Sequence, residues 1–414
     1  MEASDLSRPI PDSWLTYYPA RSRSWVPLPP IDWGAQGFSR ADQLTQNLPT
    51  LLALSAAREA RTMAQWDRTV SRDPFRLGVF VGTGMGGARA PFDNYRAHLL
   101  GTARQDLLEL RAQSPRGSAL NQILDDLSHH PRVNPLVICQ TMPNAVAAAL
   151  SVDSGAQGIC ETICYACASG TVAIGNAYRA IASGALDSAI AVGVEHMSDS
   201  AGGVFMGFDR LQTLAVPRDC PGTENRPFDR DRSGFLFSEG GAGAVFMESE
   251  EEVNRRNSTA LAKVCSFAQT ADARSMVAIS PESGAQLAMY RMALDDADIS
   301  PSSIDYINSH GTGTVMNDEI ESDLISTVFG KKPAINSTKS ILGHTVGASG
   351  SLEAVVTVRS ILEQQVHPCR NLENPIRELL FAREPLSRPI RYALTQSFGF
   401  GGHNAAIIFG EARQ

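Results

Sequence analysis

Residues 158–197 read GICETICYACASGTVAIGNAYRAIASGALDSAIAVGVEHM, and the order of local patterns in this stretch decides the fold class. The apolar run at 158–166 predicts a buried strand, and the helical spacing at 168–184 predicts a helix that ends at Gly184. A second strand is predicted at 188–197. A strand, a helix and a strand in this order form a β-α-β unit with a right-handed crossover, so the chain is predicted to be an α/β protein.

Elements of the same kind flank this unit. The segment RLGVFVGTGMGG at 76–87 predicts a short buried strand that ends in a glycine-rich turn, and apolar spacing predicts a helix from Ala41 to Gln65. Residues 95–132 are polar and compatible with helices, which indicates an inserted helical segment. A second series of strands and helices runs from about Ala260 to the C-terminus. No sequence repeat is visible, although this order is compatible with two structurally similar halves.

The composition of the 414 residues limits the classes of function. Hydrophobic residues make up 43% and charged residues 19%, which is ordinary for a globular protein with room for two core-forming units. The net charge of −8 argues against nonspecific nucleic-acid binding, which requires an excess of lysine and arginine. The absence of a long apolar stretch and of a signal-peptide pattern predicts a cytoplasmic chain that does not insert into membranes. Seven cysteines, an odd number, favour a reducing compartment over a disulfide framework.

Cys167 is the first candidate catalytic residue. It lies in YACASGT, at the predicted junction of a strand and a helix. There, backbone N–H groups and the positive end of the helix dipole point at the sulfur, which predicts a lowered thiol pKa and a nucleophile. The alternative is a small buried core residue, which is what most free cysteines are.

Two histidines in the second half strengthen the catalytic interpretation. His310 in YINSHGTGT and His344 in NSTKSILGHTVGASG both lie among small residues after strand-like runs, where a substrate has an open approach. An isolated histidine is more often a structural group. The segment SFGFGGHN at 397–404 adds a glycine-rich turn whose amides could face an oxyanion.

Five segments together carry a specific resemblance. In chain order they are YACASG, RPFDRDRSGFLFSEGGAG, SHGTGT, STKSILGHTVGASGSLEA and SFGFGGHN. Their order and spacing resemble those of the elongating β-ketoacyl-acyl carrier protein (ACP) synthases, over roughly Arg76 to Phe409. The resemblance implies a thiolase-like fold of alternating α-β-α-β-α layers with two pseudo-duplicated halves. The predicted halves are residues 1–255, with the nucleophilic cysteine, and 256–414, with the histidine pair.

The resemblance also implies a reaction. The family residue that matches Cys167 accepts an acyl group from the phosphopantetheine arm of an ACP, and those matching His310 and His344 promote decarboxylation of malonyl-ACP. The resulting carbanion attacks the thioester and yields a β-ketoacyl-ACP two carbons longer. Two neutral imidazoles that donate hydrogen bonds are suited to share the developing enolate charge. No metal or dissociable cofactor is implied, because the ACP brings the phosphopantetheine.

Further positions match supporting residues of the family. Lys339 and Glu353 match a buried pair expected to orient His344, although a purely structural pair is an equal alternative. The amides of Cys167 and Phe400 match an oxyanion hole. Asp318 and Glu321 match an acidic pair close to the first histidine, which we interpret as structural. The expected substrate contacts are Thr312 and Thr314, which resemble the threonines that hold the phosphopantetheine arm, and three aromatic residues. These are Phe208, Phe398 and Phe400, although such aromatics are more often core residues.

The cysteine spacing also allows two other interpretations, an iron–sulfur site and a redox pair. Cys160, Cys164 and Cys167 have the C-x3-C-x2-C spacing of a radical-type iron–sulfur site. Cys160 and Cys164 would share one face of the predicted strand while Cys167 would not, which argues against a cluster. The nominal C-x-x-C redox pair of Cys164 and Cys167 lacks a thioredoxin-like context.

Related enzymes of the same fold are distinguished by single residues. A CoA-dependent thiolase should carry a second catalytic cysteine near the C-terminus, where SFGFGGHN has none. An initiating ketosynthase should have asparagine in place of His344. A non-catalytic, chain-length-factor-like subunit should have lost its nucleophile, so Cys167 argues against that alternative, although a partner-dependent subunit stays open.

The N-terminus departs from the family pattern. Residues 1–38 are rich in proline, tryptophan, tyrosine and arginine, without the usual opening strand and helix, and predict an irregular arm that wraps a surface. The first strand of the first half is thus predicted to be atypical or missing. This departure favours specialised polyketide or polyene synthesis over primary fatty-acid synthesis. It also favours an altered homodimer or a heterodimer with a paralogous subunit. An acidic ACP requires a basic docking patch, for which Arg40, Arg210 and Arg218 are candidates.

Overall fold

The computed structural model describes residues 6–15, 19–67, 69, 73–87, 89–113, 118–128, 134–219 and 222–412. Its strands are β1 (Arg8–Pro9), β2 (Ser24–Val26), β3 (Leu77–Gly82), β4 (Cys160–Ile163), β5 (Ser188–His196), β6 (Phe237–Ser238), β7 (Gly240–Glu248), β8 (Ala262–Ala271), β9 (Tyr306–Asn308), β10 (Ala334–Asn336), β11 (Gln365–Val366), β12 (Leu386–Ser387), β13 (Tyr392–Gly399) and β14 (His403–Glu411). Its helices are α1 (Arg40–Thr45), α2 (Leu48–Met63), α3 (Arg89–Gln113), α4 (Ser118–Ser128), α5 (Val137–Thr141), α6 (Ala145–Ser154), α7 (Ser169–Ala182), α8 (Gly203–Arg210), α9 (Glu250–Arg256), α10 (Gly284–Asp296), α11 (Val315–Phe329), α12 (Lys339–Leu342) and α13 (Ser349–Glu363).

Two mixed sheets form the centre of the molecule. The first has the strand order β4-β3-β5-β7 and the second has the order β10-β9-β13-β14-β8. In the first sheet β3 runs parallel to β4 and β5, whereas β7 is antiparallel to β5. Every residue of β3 and β5 is buried, which explains why these strands are continuous apolar runs in the sequence.

Helices cover both faces of each sheet. Helices α7 and α13 contact each other and strands of both sheets, so they form the central layer. Helices α2 and α6 pack on strands of the first sheet, and α10 packs on β8 and β14 of the second. The resulting order of layers is α-β-α-β-α, which confirms the predicted thiolase-like architecture. The predicted boundary between residues 255 and 256 falls at the end of α9. In chain order this point lies after the last strand of the first sheet and before the first strand of the second, and the boundary stays a prediction.

A repeated turn relates the two halves. Residues Ala166–Ala168 and Val346–Ala348 each form a 3-10 turn that leads directly into a helix, α7 or α13. The first residue of each turn has a left-handed φ, 48° at Ala166 and 44° at Val346. The sequences ACASG and VGASG at these turns share Ala-Ser-Gly. The two turns therefore share a short Ala-Ser-Gly motif, which agrees with two structurally similar halves.

Glycines allow the two central helices to approach closely at their first turns. A Cβ atom at Gly170 of α7 would lie 2.7 Å from the backbone nitrogen of Ser351, and one at Gly350 of α13 would collide with the hydroxyl of Thr171. Such contacts leave no room for a side chain at either position. The beginnings of α7 and α13 therefore meet backbone to backbone, and the turns that precede them lie side by side.

Two element boundaries differ from the sequence prediction. The helix predicted at 41–65 is two helices, α1 and α2, because Asn47 caps a new helix by accepting a hydrogen bond from the Thr50 N–H at 2.9 Å and Pro49 lacks an N–H of its own. The strand predicted at 158–166 is only β4, because the chain turns after residue 163 into the 3-10 turn before α7. The predicted helical insertion at 95–132 is confirmed by α3 and α4 over its described residues, while 114–117 and 129–132 lie outside the part of the chain that the structure describes.

The N-terminal arm is more deeply integrated than predicted. Its strands β1 and β2 form a small sheet with β6, and Ile10, Trp14, Ala20 and Val26 are buried. The described part of the arm therefore adds strands and buried side chains to the fold, besides wrapping a surface as predicted. Within the described residues the first sheet has four strands and the second has five, which agrees with an atypical first strand. In the same part of the chain, no helix combines the length and apolar character that a bilayer span needs.

Candidate active site

The 3-10 turn after β4 presents Cys167. The side chain is 7% exposed and follows Ala166, whose left-handed φ turns the chain sharply toward α7. Ser169 fixes this turn, because its hydroxyl accepts a hydrogen bond from the Tyr165 N–H at 2.8 Å and donates one to the Ala166 carbonyl at 2.7 Å. The sulfur is thus held at the beginning of the central helix layer.

His344 lies directly against the sulfur. Its Nε2 is 3.1 Å from Cys167 Sγ, and its Nδ1 is 3.1 Å from the hydroxyl of Ser349. The backbone N–H of Val346 also points at Nδ1, at 3.3 Å. Because a backbone N–H can only donate, Nδ1 is the acceptor, and this assigns the hydrogen of the neutral ring to Nε2.

His310 is held by a buried charged pair. Its Nδ1 is 3.2 Å from Lys339 Nζ, and Lys339 is also bonded to the carboxylate of Glu353. An ammonium group can only donate, so His310 likewise carries its hydrogen on Nε2. The centroids of the His310 and His344 rings lie 5.5 Å apart. The expectation that the lysine pair orients His344 is wrong, because it contacts His310 instead.

Burial sets the protonation states of the site. It lowers the pKa of both His310 and His344 well below the usual range, with the positive charge of Lys339 acting in the same direction, so both rings are neutral near pH 7. Burial also raises the pKa of Cys167 to about 11, although Lys339 and the Phe400 amide oppose this shift. The lowered thiol pKa predicted from the helix dipole is therefore wrong for the free enzyme.

Two backbone amides lie near the sulfur. The N–H groups of Phe400 and of Cys167 itself are close enough to lower the pKa of the thiol against the effect of burial. Phe400 follows β13 and is half-buried, whereas Phe398, two residues earlier, is buried with its ring centroid 5.8 Å from that of His310. A pair of converging amides is the usual construction of an oxyanion hole.

Glu321 holds the backbone that carries the first histidine. It accepts hydrogen bonds from the N–H groups of His310 at 2.6 Å and Gly311 at 2.7 Å, and from the amide of Gln396 at 2.6 Å. Burial raises the pKa of Glu321 to about 7. Its contacts are with the histidine backbone rather than with the imidazole.

Asp318 has a similar position one turn earlier in α11. It accepts hydrogen bonds from the N–H of Phe228 at 2.7 Å and the N–H of Gly313 at 3.1 Å, and Arg232 lies 3.7 Å away. It therefore ties the loop after His310 to the chain segment at 226–232.

The remaining predicted substrate contacts lie around this centre. The hydroxyls of Thr312 and Thr314 are 2.9 Å apart, with Thr312 buried and Thr314 half-buried. Phe208 in α8 is half-buried and packs against Phe235 and Phe237, with ring centroids 5.5 and 6.1 Å away. The Phe235 ring in turn lies 5.1 Å from His344.

Two supporting residues were missed in the sequence. Ser349 forms a hydrogen bond with His344 Nδ1. Its place in the Ala-Ser-Gly motif, which also occurs after Cys167, was the sequence signal that could have indicated it. Glu195 is fully buried at the end of β5 and accepts hydrogen bonds from the N–H of Gly84 at 2.7 Å and the N–H of Gly347 at 3.1 Å. It therefore connects the turn after β3 to the repeated turn of the second half. A glutamate inside the apolar run SAIAVGVEHM was the available signal.

The cysteines near the site do not form a metal centre. Among the described residues, no group of three or more His, Cys, Asp or Glu side chains is arranged to hold a metal ion. Cys160 lies on β4 and is exposed, and Cys164 lies beyond the end of that strand. The iron–sulfur alternative therefore has no geometric support within this part of the chain.

Comparison with known proteins places the chain in a family. The model described as the N-terminal domain of beta-ketoacyl synthase matches residues 31–253, and the model of the C-terminal domain matches residues 261–373. A 3-oxoacyl-[acyl-carrier-protein] synthase 2 of Mycobacterium tuberculosis is 35% identical over 343 residues, which cover 82% of this chain and 75% of that protein.

Solved structures agree with this assignment. The crystal structure of a beta-ketoacyl synthase from Burkholderia phymatum superposes with a TM-score of 0.83 at 28% identity, over 99% of this chain and 93% of that one. The ishigamide ketosynthase/chain length factor, at 24% identity and a TM-score of 0.78 over 98% of this chain and 92% of that one, shares the fold. With its layered fold and with both family models matched, the chain belongs to the β-ketoacyl synthase family of condensing enzymes.

Proposed function

We propose that the protein extends an acyl chain held on Cys167 by decarboxylating Claisen condensation with malonyl-ACP. The observation that carries the assignment of roles is the contact of His344 Nε2 with one buried sulfur at 3.1 Å, with a second neutral histidine whose ring centroid lies 5.5 Å from that of the first. The Phe400 and Cys167 amides lie near the same sulfur. Nucleophile, oxyanion donors and enolate donors are then all within one small volume.

The first half-reaction loads the enzyme. The Cys167 sulfur forms a bond to the acyl carbonyl carbon, the bond to the pantetheine sulfur breaks, and the thiol proton leaves with the ACP thiol. The Phe400 and Cys167 amides stabilise the tetrahedral oxyanion, a contribution that commonly amounts to about 100-fold or more in rate per donor. Because burial raises the thiol pKa to about 11, loading is expected to accelerate as pH rises.

The second half-reaction forms the new carbon–carbon bond. Malonyl-ACP loses carbon dioxide, and the electron pair of the broken bond enters the thioester as an enolate. His310 and His344 donate hydrogen bonds from their Nε2–H groups to that enolate oxygen, while Lys339 keeps His310 in the donating tautomer. The enolate carbon attacks the acyl carbonyl, and the Cys167 sulfur leaves as a thiolate that takes up a proton from solvent. The threonine pair Thr312 and Thr314 is proposed to bind the pantetheine arm.

The partners belong to the proposal as well. The Mycobacterium relative is named for an acyl carrier protein, and Arg40, Arg210 and Arg218 are exposed candidates for docking such an acidic partner. The fold neighbour named as a ketosynthase/chain length factor supports pairing with a second subunit, either a copy or a paralogue. Specialised polyketide or polyene synthesis in the cytoplasm, without a resident cofactor, completes the proposal. The six described cysteines are free thiols, which fits a reducing compartment.

The test is intact-mass analysis after incubation with a panel of acyl-ACPs. We expect an acyl adduct on the wild type and none on Cys167→Ala. Cys164→Ala is the matched control, because Cys164 is an exposed thiol three residues away and should leave the adduct unchanged. An adduct that survives in Cys167→Ala would refute the assignment of the nucleophile. No adduct with any donor would instead favour the non-catalytic, chain-length-factor-like alternative.

A further inference from the structure

The N-terminal arm reaches the apolar side of the nucleophile. One buried cluster contains Cys167 together with Ile10, Trp14 and Ala20 of the arm, and also includes Met197, Val204, Phe205, Leu214, Phe235, Phe237 and Val346. These arm residues lie before residue 31, where the match to the family model begins. The arm therefore belongs to the same apolar cluster as the reactive sulfur.

Aromatic rings connect Trp14 to the site. The Trp14 ring centroid is 5.5 Å from that of Phe205, which is 5.3 Å from that of Phe237. Phe237 pairs through its backbone with His344. At the far end, Trp14 packs on Gly202, whose φ of 72° is left-handed and where a Cβ would collide with the indole. Two aromatic rings, those of Phe205 and Phe237, thus separate Trp14 from the strand residue that pairs with the histidine.

Specific contacts fix the arm in this position. Strand β2 pairs with β6 through Trp25 and Phe237. The N–H groups of Arg21 and Ser22 donate to the carboxylate of Asp209 at 3.0 and 2.8 Å, with Ser22 and Asp209 both buried. The Leu28 N–H donates to Glu239 at 2.7 Å. These hydrogen bonds and the strand pairing therefore hold the segment around Trp14 in a fixed position next to α8.

The direction of a bound acyl chain follows from polarity. On one side of the sulfur lie His344, His310 and the Lys339–Glu353 pair, where an alkyl tail would remove buried charges from their partners. The other side is the apolar cluster. Burying a methylene there is favourable because it removes apolar surface from water. We propose that the acyl tail runs from Cys167 along α8 and that Trp14 limits the length of the tail. This inference rests on the proposed function.

The proposal can be tested without relying on catalysis. Purified protein is treated with N-alkyl iodoacetamides of increasing chain length, and alkylation of Cys167 and of the exposed Cys164 is quantified on peptides from the same sample. In the wild type the ratio of Cys167 to Cys164 labelling should fall beyond a certain length. In Trp14→Ala that limit should move to longer chains, with at least a tenfold gain in the ratio for the first chain that the wild type rejects.

A matched control separates length selection from general loosening. Trp33 is another tryptophan of the arm, but it packs against Phe38 in a different cluster, so Trp33→Ala should keep the wild-type limit. An unchanged limit in folded Trp14→Ala, or an equal shift in both variants, would overturn the proposal. Absence of adducts from acyl-ACPs would refute the proposed function without altering this readout.

A second measurement covers the case in which Trp14→Ala fails to fold. Wild-type protein labelled on Cys167 with a long iodoacetamide that carries a terminal diazirine is irradiated, and the cross-linked peptide is identified by mass spectrometry. Cross-links to the arm at 10–26 or to Phe205 are expected. Cross-links found only in other segments would overturn the proposal.

Discussion

Among single residues, the Lys339–Glu353 pair is one where a substitution should strongly affect stability. Both side chains are buried, and the pKa of Glu353 is raised by burial to about 7 even with Lys339 beside it. Lys339→Met should reduce the free energy of unfolding by about 3–5 kcal/mol, because it leaves a buried carboxyl without its partner. Urea unfolding measures this loss.

The pH dependence of that loss has a definite sign. A carboxyl whose folded pKa exceeds its unfolded value lowers stability as pH rises through the interval between the two, here from 4.5 to about 7. Removing Lys339 raises the folded pKa further, so the loss should be larger at pH 8 than at pH 5. The double variant Lys339→Met/Glu353→Gln should recover part of it at pH 8. A loss that is independent of pH and not recovered would contradict the buried-charge explanation.

The buried carboxylate of Glu321 is a second residue whose substitution should lower stability. Four donors meet its carboxylate, namely the N–H groups of His310 and Gly311 and the amides of Gln396 and Asn317. Glu321→Gln would direct an amide NH2 at some of these donors. We expect a loss of about 1–3 kcal/mol in the free energy of unfolding. The exposed Asp323→Asn on the same helix is the control, expected to change it by less than about 0.5 kcal/mol.

Residue types were easier to predict from the sequence than residue contacts. Cys167, His310 and His344 are recognisable from their small-residue surroundings, and the structure brings them together. Which histidine Lys339 contacts depends on the packing of α12 against the loop after β9, and no local pattern records that. The pKa of the thiol was misjudged for a related reason, since burial depends on the entire surrounding cluster and outweighs the local turn.

At the element scale, the contact between α7 and α13 predicts a strong effect of one methyl group. Gly350→Ala places a Cβ against the hydroxyl and amide of Thr171, and overpacking of this kind costs about 1–3 kcal/mol. The variant should also lose activity, because both repeated turns move. Gly101→Ala in α3 is the control, since nothing lies near its Cβ and a gain of about 0.5–1 kcal/mol is expected. Thermal unfolding compares the two. An equal effect in both variants would contradict the close-contact argument.

Element type and order followed from sequence periodicity, but element ends did not. The β-α-β unit around Cys167 is predictable because its strands are apolar runs and its helix ends at a glycine. The break between α1 and α2 carries a visible signal in Asn47 and Pro49, whereas the early end of β4 does not. That end is determined by the Ser169 hydroxyl, whose hydrogen bonds to Tyr165 and Ala166 favour a turn over an extended strand.

At the scale of the whole molecule, the edge of the first sheet predicts self-association. Strand β4 pairs only with β3 among the described strands, and Cys160 and Glu161 are exposed on it. Native mass spectrometry should give twice the monomer mass of 44.4 kDa. Cys160→Pro should shift the mass distribution toward monomer. The Ile159 and Ile163 carbonyls accept hydrogen bonds from β3, so the backbone N–H of the alternate residue Cys160 faces the open edge, and proline removes it. A monomeric wild type would contradict pairing between two copies and favour a paralogous partner.

The integration of the arm could not be predicted from the sequence. Its composition indicates irregular structure correctly, but its partners, Asp209, Gly202 and Phe237, lie roughly 190 to 220 residues further along the chain. Contacts of such long range have no periodic signature. The layered core, by contrast, could be predicted because each strand and helix carries its own pattern.

The backbone contact at Gly170 and Gly350 also determines how the site can be reached. The first half supplies the nucleophile and the second half supplies both histidines, yet the halves touch where α7 and α13 begin. A hinge motion between the halves would have to break this contact, so we do not expect the two halves to move apart during the reaction. Reactants are then expected to enter a site of fixed shape, where the width of a molecule decides whether it can reach Cys167. A slender flexible tether can pass, and a bulky rigid molecule with the same reactive group cannot.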